Sequence, residues 1–486
     1  MTSTLLCQSL KTLPIQKEMV KKCPFPLVFF VLIGFLILGS SPLLVEARSK
    51  AHKHHKKRGS ESKKDSPVSL PTPPPYYGSY QPTRTIFDIL SFGAKGDGVS
   101  DDSKSLLAAW RAACKVGSAI VEIPSEFRFL ISAVTLQGPC MPQLVLQIDG
   151  TVIAPSQLSA WPNNGLLQWI NFKWVQNFSI QGTGTIDGQG SAWWGIPDIQ
   201  SEKFSGKSSK YIPSTKPTAV RFYASYNVTI RDVAIINSPL CHLKFDNCGG
   251  VKVLNITISS PGDSPNTDGI HIQNTQDVEV EHSTIGCGDD CVSIQTGCSN
   301  VNIHHINCGP GHGISLGSLG KDNSLACVYN VTVQNITIQD ALSGVRIKTW
   351  QGGLGSVKNI SFSGIQVSNV RIPIVIDQFY CDKKRCKNQT GAVEIEGIKY
   401  DQITGTYAAQ PIHLACSDAV PCTNIDLNDI QLEPSQTARG IQQGLCWNSY
   451  GKSQAPLIPS SINCLQKSGN LAKSMRKSSH PKKQPC

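Results

Sequence analysis

From residue 177 onward the chain repeats one pattern, a polar residue followed by alternating apolar and polar positions. Asn177-Phe-Ser-Ile, Asn227-Val-Thr-Ile, Gly250-Val-Lys-Val, Asp277-Val-Glu-Val, Asn300-Val-Asn-Ile and Asn330-Val-Thr-Val share it, and later copies begin near Ser356, Ala392 and Asn424. From Asn227 onward the copies are spaced by 23, 27, 23, 30, 26, 36 and 32 residues. Period-two alternation marks strands, and a loose repeat of this length marks a solenoid. Each copy holds two or three short strands broken by Gly, Asn, Asp or Pro, with no room for a helix of ordinary length. Leucine-rich repeats would need Leu at fixed offsets, and propeller blades would need four strands in about 40 residues. The pattern predicts an all-β fold, a right-handed single-stranded parallel β-helix with one turn per repeat.

A coil of this kind has open ends that need covering. The segment from Asp102 to Cys114 places Leu106, Leu107, Trp110, Ala113 and Cys114 on one helical face, with Asp102 positioned as the cap. It is expected to plug the first turn.

The two ends of the chain differ from its middle. Lys17, Lys21 and Lys22, the apolar run 26–39 and Val45-Glu46-Ala47 follow the order of a secretory signal peptide, assigned to residues 1–47. The run is shorter than the ~20 residues that span a bilayer, which disfavours a retained anchor. Residues 48–84 form a His/Lys-rich and Pro-rich stretch too poor in apolar residues to fold, expected as a disordered arm and linker. Residues 85–465 are assigned to the β-helix and 466–486 to a basic disordered tail.

Charge sharpens this division. The whole chain has a formal charge of +11. Residues 48–65 hold eight Lys/Arg against Glu61 and Asp65, and residues 467–486 hold six Lys/Arg and no acid. The part between is slightly acidic, which with the export signal argues against a nucleic-acid partner. The tails suit contact with an acidic polymer. Sixteen of the 18 cysteines follow the leader, an even number that points to disulfides in an exported protein. Short pairs such as Cys381/Cys386 and Cys416/Cys422 could close small loops. No paired C-x-x-C knuckle suggests a metal site. Seven N-x-S/T sequons begin at Asn177, Asn227, Asn255, Asn330, Asn335, Asn359 and Asn388, several of them inside strand-like runs.

Chemistry gathers in four consecutive repeats: Asp268-Gly-Ile-His-Ile, Asp290-Cys-Val-Ser-Ile, His312-Gly-Ile-Ser-Leu and Gly344-Val-Arg-Ile-Lys348. Asp268 to Asp290 and Asp290 to His312 are both 22 residues, so the three are expected to stack on neighbouring turns roughly 5 Å apart. Arg346 and Lys348 alternate along their strand and can face one side. With Asp289 the result is three carboxylates, a histidine and two cations on one face. Carboxylates crowded together raise one another's pKa, as a general acid requires. Adjacent Asp289 and Asp290 reach one cleft only if they lie at a bend, for which Gly288 offers freedom. His242 and Asp246, a turn earlier, read as structural residues.

Ser264-Pro-Asn-Thr-Asp268, Gly288-Asp-Asp-Cys291, Gly311-His-Gly313 and Arg346-Ile-Lys348, in that order, resemble the signature set of the polygalacturonases, glycoside hydrolase family 28. Cys308-Gly-Pro-Gly-His-Gly-Ile-Ser-Leu-Gly-Ser318 and Arg346-Ile-Lys-Thr-Trp-Gln-Gly352 resemble the plant branch. The likeness covers about residues 85–465 and implies a pectin-lyase-like solenoid. It further implies a secreted cell-wall enzyme, a monomer without a cofactor or metal, that hydrolyses the α-1,4 bonds of de-esterified pectin with inversion. By the same resemblance Asp289 is the general acid, Asp268 and Asp290 orient and deprotonate the attacking water, and His312 maintains the acid. An inverting water between the carboxyls calls for a separation of about 6.5–9.5 Å. Arg346 and Lys348 would bind the galacturonate carboxylate, Tyr380 would contact substrate, and Cys291–Cys308 would form a disulfide beside the acid.

Endo action is expected, with exo action the alternative. A family hydrolase for rhamnogalacturonan or xylogalacturonan, a calcium-dependent pectate lyase and a catalytically silent pectin-binding protein are the other readings. The Arg-Ile-Lys pair favours a uronate at the cleaved bond, and the intact acidic set favours catalysis.

Overall fold

The computed structural model describes residues 84–162, 168–196, 215–382, 386–439, 443–467 and Cys486, all within one compact unit, Ser79–Cys486. The expected signal peptide, all but the last residue of the expected arm at residues 48–84, and most of the expected tail lie outside the described residues.

Strands pair only with strands of the turns before and after, in parallel, forming one sheet of 20 strands and one of 11. In the larger sheet Val228, Val251, Val278 and Val301 stand in register, followed by Val331, Ile360, Ile398 and Ile425. Every one of them is buried. This is the physical meaning of the sequence repeat: alternation sends one side chain in two to the interior, and stacking aligns like with like. Phe172, Phe222 and Phe245 form such a stack, with ring centroids 4.8 and 5.3 Å apart.

The polar residue that opens each copy has its own task. Asn177, Asn227, Asp277, Asn300, Asn330, Asn359 and Asn424 all take left-handed φ, where Asn and Asp are the side chains best tolerated. Asn227 Nδ2 donates to Asn177, Asn300 to Asp277, Asn330 to Asn300 and Asn359 to Asn330 at 2.7–3.3 Å. These residues form a ladder at one bend of the coil, so the sequons at Asn227, Asn330 and Asn359 use their amide nitrogen inside the fold. The register also corrects two repeat starts: Asn359 and Gly397, not Ser356 and Ala392, are equivalent to Asn330. The strands there, Leu354–Val370 and Glu394–Tyr407, begin earlier than the bend and mask the marker.

The expected plug is the helix α1, Ser103–Ala113, with Leu106, Ala109, Trp110 and Ala113 buried. Asp102 precedes it but does not cap it. Its carboxylate accepts from the backbone amides of Lys95 and Gly96, while Asp101 accepts from the Ser103 amide at 3.0 Å. The first turn of the chain competes for the cap and wins it.

Among the described residues six disulfides form: Cys114–Cys140, Cys291–Cys308, Cys327–Cys486, Cys381–Cys386, Cys416–Cys422 and Cys446–Cys464. Cys241, Cys248, Cys287 and Cys298 stay free and buried, so the even count does not translate into full pairing. They occupy interior positions of the coil as small apolar side chains. Burial pushes the Cys248 and Cys298 thiols up to about 11.

Candidate active site

The smaller sheet carries the chemistry. Seven of its strands are β1 Thr218–Tyr223, β2 Leu243–Asp246, β3 Ile270–Gln273, β4 Val292–Ile294, β5 Ile314–Leu319, β6 Ser343–Trp350 and β7 Ile372–Tyr380. Leu243, Ile270, Val292, Ile314, Val345 and Ile374 form its inward row. The next position along, Lys244, His271, Ser293, Ser315 and Arg346, is displaced to the other face by the period of two.

Asp268, Asp290 and His312 each lie two residues before the inward row, at the bend leading into β3, β4 and β5. The structure therefore brings together the three residues that the 22-residue spacing singled out. Asp289 and Asp290 share the bend before β4. Gly288 holds it for a steric reason: a Cβ there would meet the Ser264 carbonyl oxygen at 1.8 Å. Its left-handed freedom is not what the site uses.

Asp290 is the most enclosed acid, with its side chain 2 % exposed. Ser315 Oγ donates to Oδ1 at 2.8 Å, Arg346 Nη2 to Oδ1 at 2.6 Å and Lys348 Nζ to Oδ2 at 2.9 Å. Burial works to raise its pKa, but Lys348 and Arg346 outweigh it and hold the carboxyl at about 2. Arg346 Nε also donates to Ser315 at 3.1 Å. Gly317 makes room for the lysine, since a Cβ at that position would lie 2.4 Å from Lys348 Cε.

Asp268 has the opposite environment. Burial raises its pKa most, and the charges of Asp289 and Asp290 add to this. His271, whose Nδ1 is 3.3 Å from Oδ2, opposes the rise. Neighbouring bends thus carry a carboxylate clamped in its ionised form beside another that titrates higher.

Asp289 Oδ1 accepts from its neighbour's backbone amide at 2.8 Å and lies 2.8 Å from His312 Nδ1. The His312 amide donates to the Asp289 carbonyl at 2.7 Å, fixing the two bends to each other. Cys291–Cys308 closes the loop next to this pair.

Tyr380 stands at the end of β7. Its ring lies 5.4 Å from Lys348 Nζ and meets Trp350 edge-on at 5.7 Å. A concavity lined by Trp350, Tyr380, Lys387 and Gln389 adjoins it. His242 is fully buried, with its ring bonded to the Asp268 carbonyl and Ser260, and burial depresses its pKa to about 4. Asp246 pairs with Arg221 at 2.6 Å. Neither joins the acidic group directly.

Two residues were not singled out from sequence. His271 and Ser315 occupy the alternate positions of the Asp268 and His312 motifs, but only the reach of side chains between turns shows that they serve Asp268 and Asp290. An oxygen of Asp289, one of Asp290 and a ring nitrogen of His312 lie within 4.8 Å of one another. This trio resembles a metal donor set, but both Asp290 oxygens already accept from cations, so a divalent ion would have to displace Arg346 and Lys348.

Acids, a hydrogen-bonded histidine and paired cations on the face of a parallel β-helix define a polysaccharide hydrolase. The profile of the glycosyl hydrolases family 28 matches residues 114–446, and the chain belongs to that family. It is 40 % identical over 382 residues to a probable polygalacturonase of Arabidopsis thaliana, spanning 77 % of this chain and 83 % of the relative. It is 42 % identical to a polygalacturonase of Chamaecyparis obtusa, over 72 % of this chain and 67 % of the relative. Among solved structures, an endo-xylogalacturonan hydrolase from Aspergillus tubingensis superposes with TM-score 0.64 at 21 % identity, covering 76 % of this chain and 99 % of the other. An exopolygalacturonase from Thermotoga maritima gives 0.60 at 22 %, covering 72 % and 89 %. These two similarities speak for the β-helix alone.

Proposed function

We propose that this polygalacturonase is an endo-acting, inverting hydrolase of de-esterified pectin, secreted to the cell wall and working there as a monomer. The observation that carries the mechanism is the unequal surroundings of Asp289, Asp290 and Asp268 on two adjacent turns. Asp289, hydrogen-bonded to His312, delivers a proton to the leaving glycosidic oxygen. Asp290 stays ionised in its clamp and orients the water. Asp268, the better base, takes the proton from that water as it attacks the anomeric carbon.

Arg346 and Lys348 hold Asp290 and have further N–H groups for a second anion, the galacturonate carboxylate at the cleaved bond. Tyr380 borders that position. Endo action is supported by the place of the acids, with Arg221 and Lys244 on the turns before and Tyr380 on a turn after, so a polymer can extend past the bond in both directions. Six disulfides suit an oxidising compartment, and among the described residues no helix is long and apolar enough to cross a membrane.

The test is digestion of polygalacturonate with a chelator present, followed by product sizing and proton NMR. Saturated oligomers of mixed length that first appear as β-anomers support the proposal. Monomer from the outset would replace endo with exo action, and α-anomers would reject inversion. Unsaturated, calcium-dependent products would indicate a lyase. Asp289→Asn should lower kcat by about 10³-fold, the scale of a lost general acid, with pectin still bound.

A further inference from the structure

On the outer face of the larger sheet a second group of ionisable side chains has no part in this mechanism. Glu279 and Glu281 alternate along strand Gln276–Glu281, and His304 stands in register with Glu281 on the following turn. We infer that Glu279, Glu281 and His304 form a binding site for a divalent transition metal of the zinc type.

The geometry is that of donors around a missing charge. His304 Nε2 is 3.8 Å from Glu279 Oε1 and 3.6 Å from Glu281 Oε2, and the three donor atoms lie within 4.8 Å of one another. Both distances exceed a hydrogen bond; a charged imidazolium would draw a carboxylate to about 2.8 Å. They approach the edge of a tetrahedron around zinc, about 3.4 Å for bonds near 2.1 Å.

The neighbouring histidines bear on which nitrogen of His304 is free. His304 Nδ1 lies 3.0 Å from His305 Nδ1, so one ring nitrogen donates and the other accepts. When His304 is the neutral donor, its Nε2 lone pair faces two carboxylates, an arrangement that a cation between them relieves. His282 stacks on His305 with centroids 4.8 Å apart and rings 2° from parallel. Stacking so close is possible because both residues sit at one left-handed bend on successive turns. Lys252 engages the other oxygen of Glu279 at 3.3 Å and leaves Oε1 to the site, while His282 Nδ1 lies 3.4 Å from Glu281 Oε2 at its edge. Imidazole with two carboxylates suits zinc or copper better than calcium, which takes six to eight oxygens.

The ion would tie two turns together. The His304 strand ends at Cys308, whose partner Cys291 adjoins Asp290, so the brace lies on the turns that carry the acids.

The test is calorimetric titration of zinc chloride into the full chain, purified without a tag from a secreting host, at pH 7. His52, His54, His55 and His480 in the basic ends are other ligands for zinc, so all four are replaced by Ala in the parent protein. One zinc per chain is expected, with a rise in melting temperature, and at least tenfold weaker binding at pH 5 as protons compete for the imidazole. His304→Ala and the isosteric Glu281→Gln should each weaken binding at least tenfold while hydrolysis of polygalacturonate stays at the parent rate. The site is refuted if the parent binds no zinc, or if both variants bind it as tightly as the parent.

Discussion

Asp268 and Asp290 are the same residue type on adjacent turns, yet the fold drives their titration in opposite directions. Asp290, held near 2 against an ordinary value of 3.8, contributes stability that is present above 3.8 and lost as pH falls through about 2. Asp268 is raised, so its contribution is present below 3.8 and lost as pH rises through its folded value. Where Asp268 is ionised, its charge is thus maintained at some cost to stability. His271 sets how large that cost is, because its hydrogen bond and charge counter the burial. Replacing His271 with Ala should move the acid limb of kcat/KM to higher pH while Asp290 keeps its clamp. A pH–rate profile checks this, and an unmoved limb would separate Asp268 from the proton transfer. Asp268, Asp290 and His312 were legible in the sequence because equal spacing in a solenoid means stacking. Their supports were not: His271 and Ser315 gain their roles from side chains crossing between turns, which no spacing along the chain records.

Strands were legible for a different reason. Alternation is forced wherever one face of a strand is buried and the other wet, so the Val and Ile rows announce themselves. What alternation leaves undecided is the fit of each interior position, and the four free thiols and the aromatic stacks are decided by that fit. Phe222 packs between Phe172 and Phe245, and Phe222→Ala should destabilise the protein by about 3–5 kcal/mol through the cavity it leaves. Tyr400 presents the converse case. It stacks on Phe362 at 5.2 Å, is fully buried, and its hydroxyl has no hydrogen-bond partner. Tyr400→Phe keeps the ring and removes the unpaired group, so it should stabilise by about 1 kcal/mol. Urea midpoints for the two variants should shift in opposite directions. A destabilised Tyr400→Phe would mean that the hydroxyl has a partner in solution.

Across the whole molecule, charge is divided between a slightly acidic coil and strongly basic ends. A catalytic body that carries negative charge pays for its approach to a polyanion, and only Arg346, Lys348 and their neighbours offset this locally. Long-range attraction by the basic ends would offset it further. The disulfide Cys327–Cys486 joins Cys486 to the coil, and residues 467–486 hold six Lys/Arg. The arm at residues 48–65 carries eight more, against two acids. If these ends act by long-range attraction, their effect must decay with ionic strength, since the screening length falls from about 10 Å at 0.1 M salt to 3 Å at 1 M. Deleting residues 48–65 should therefore lower the salt needed to elute the enzyme from immobilised polygalacturonate. The turnover of short soluble oligomers should not change, because they diffuse to the acids without a tether. Equal elution of both forms would leave the arm as a spacer. A fall in turnover on short oligomers would place the arm at the cleft itself, where it would act on the bound sugar rather than on the polymer around it.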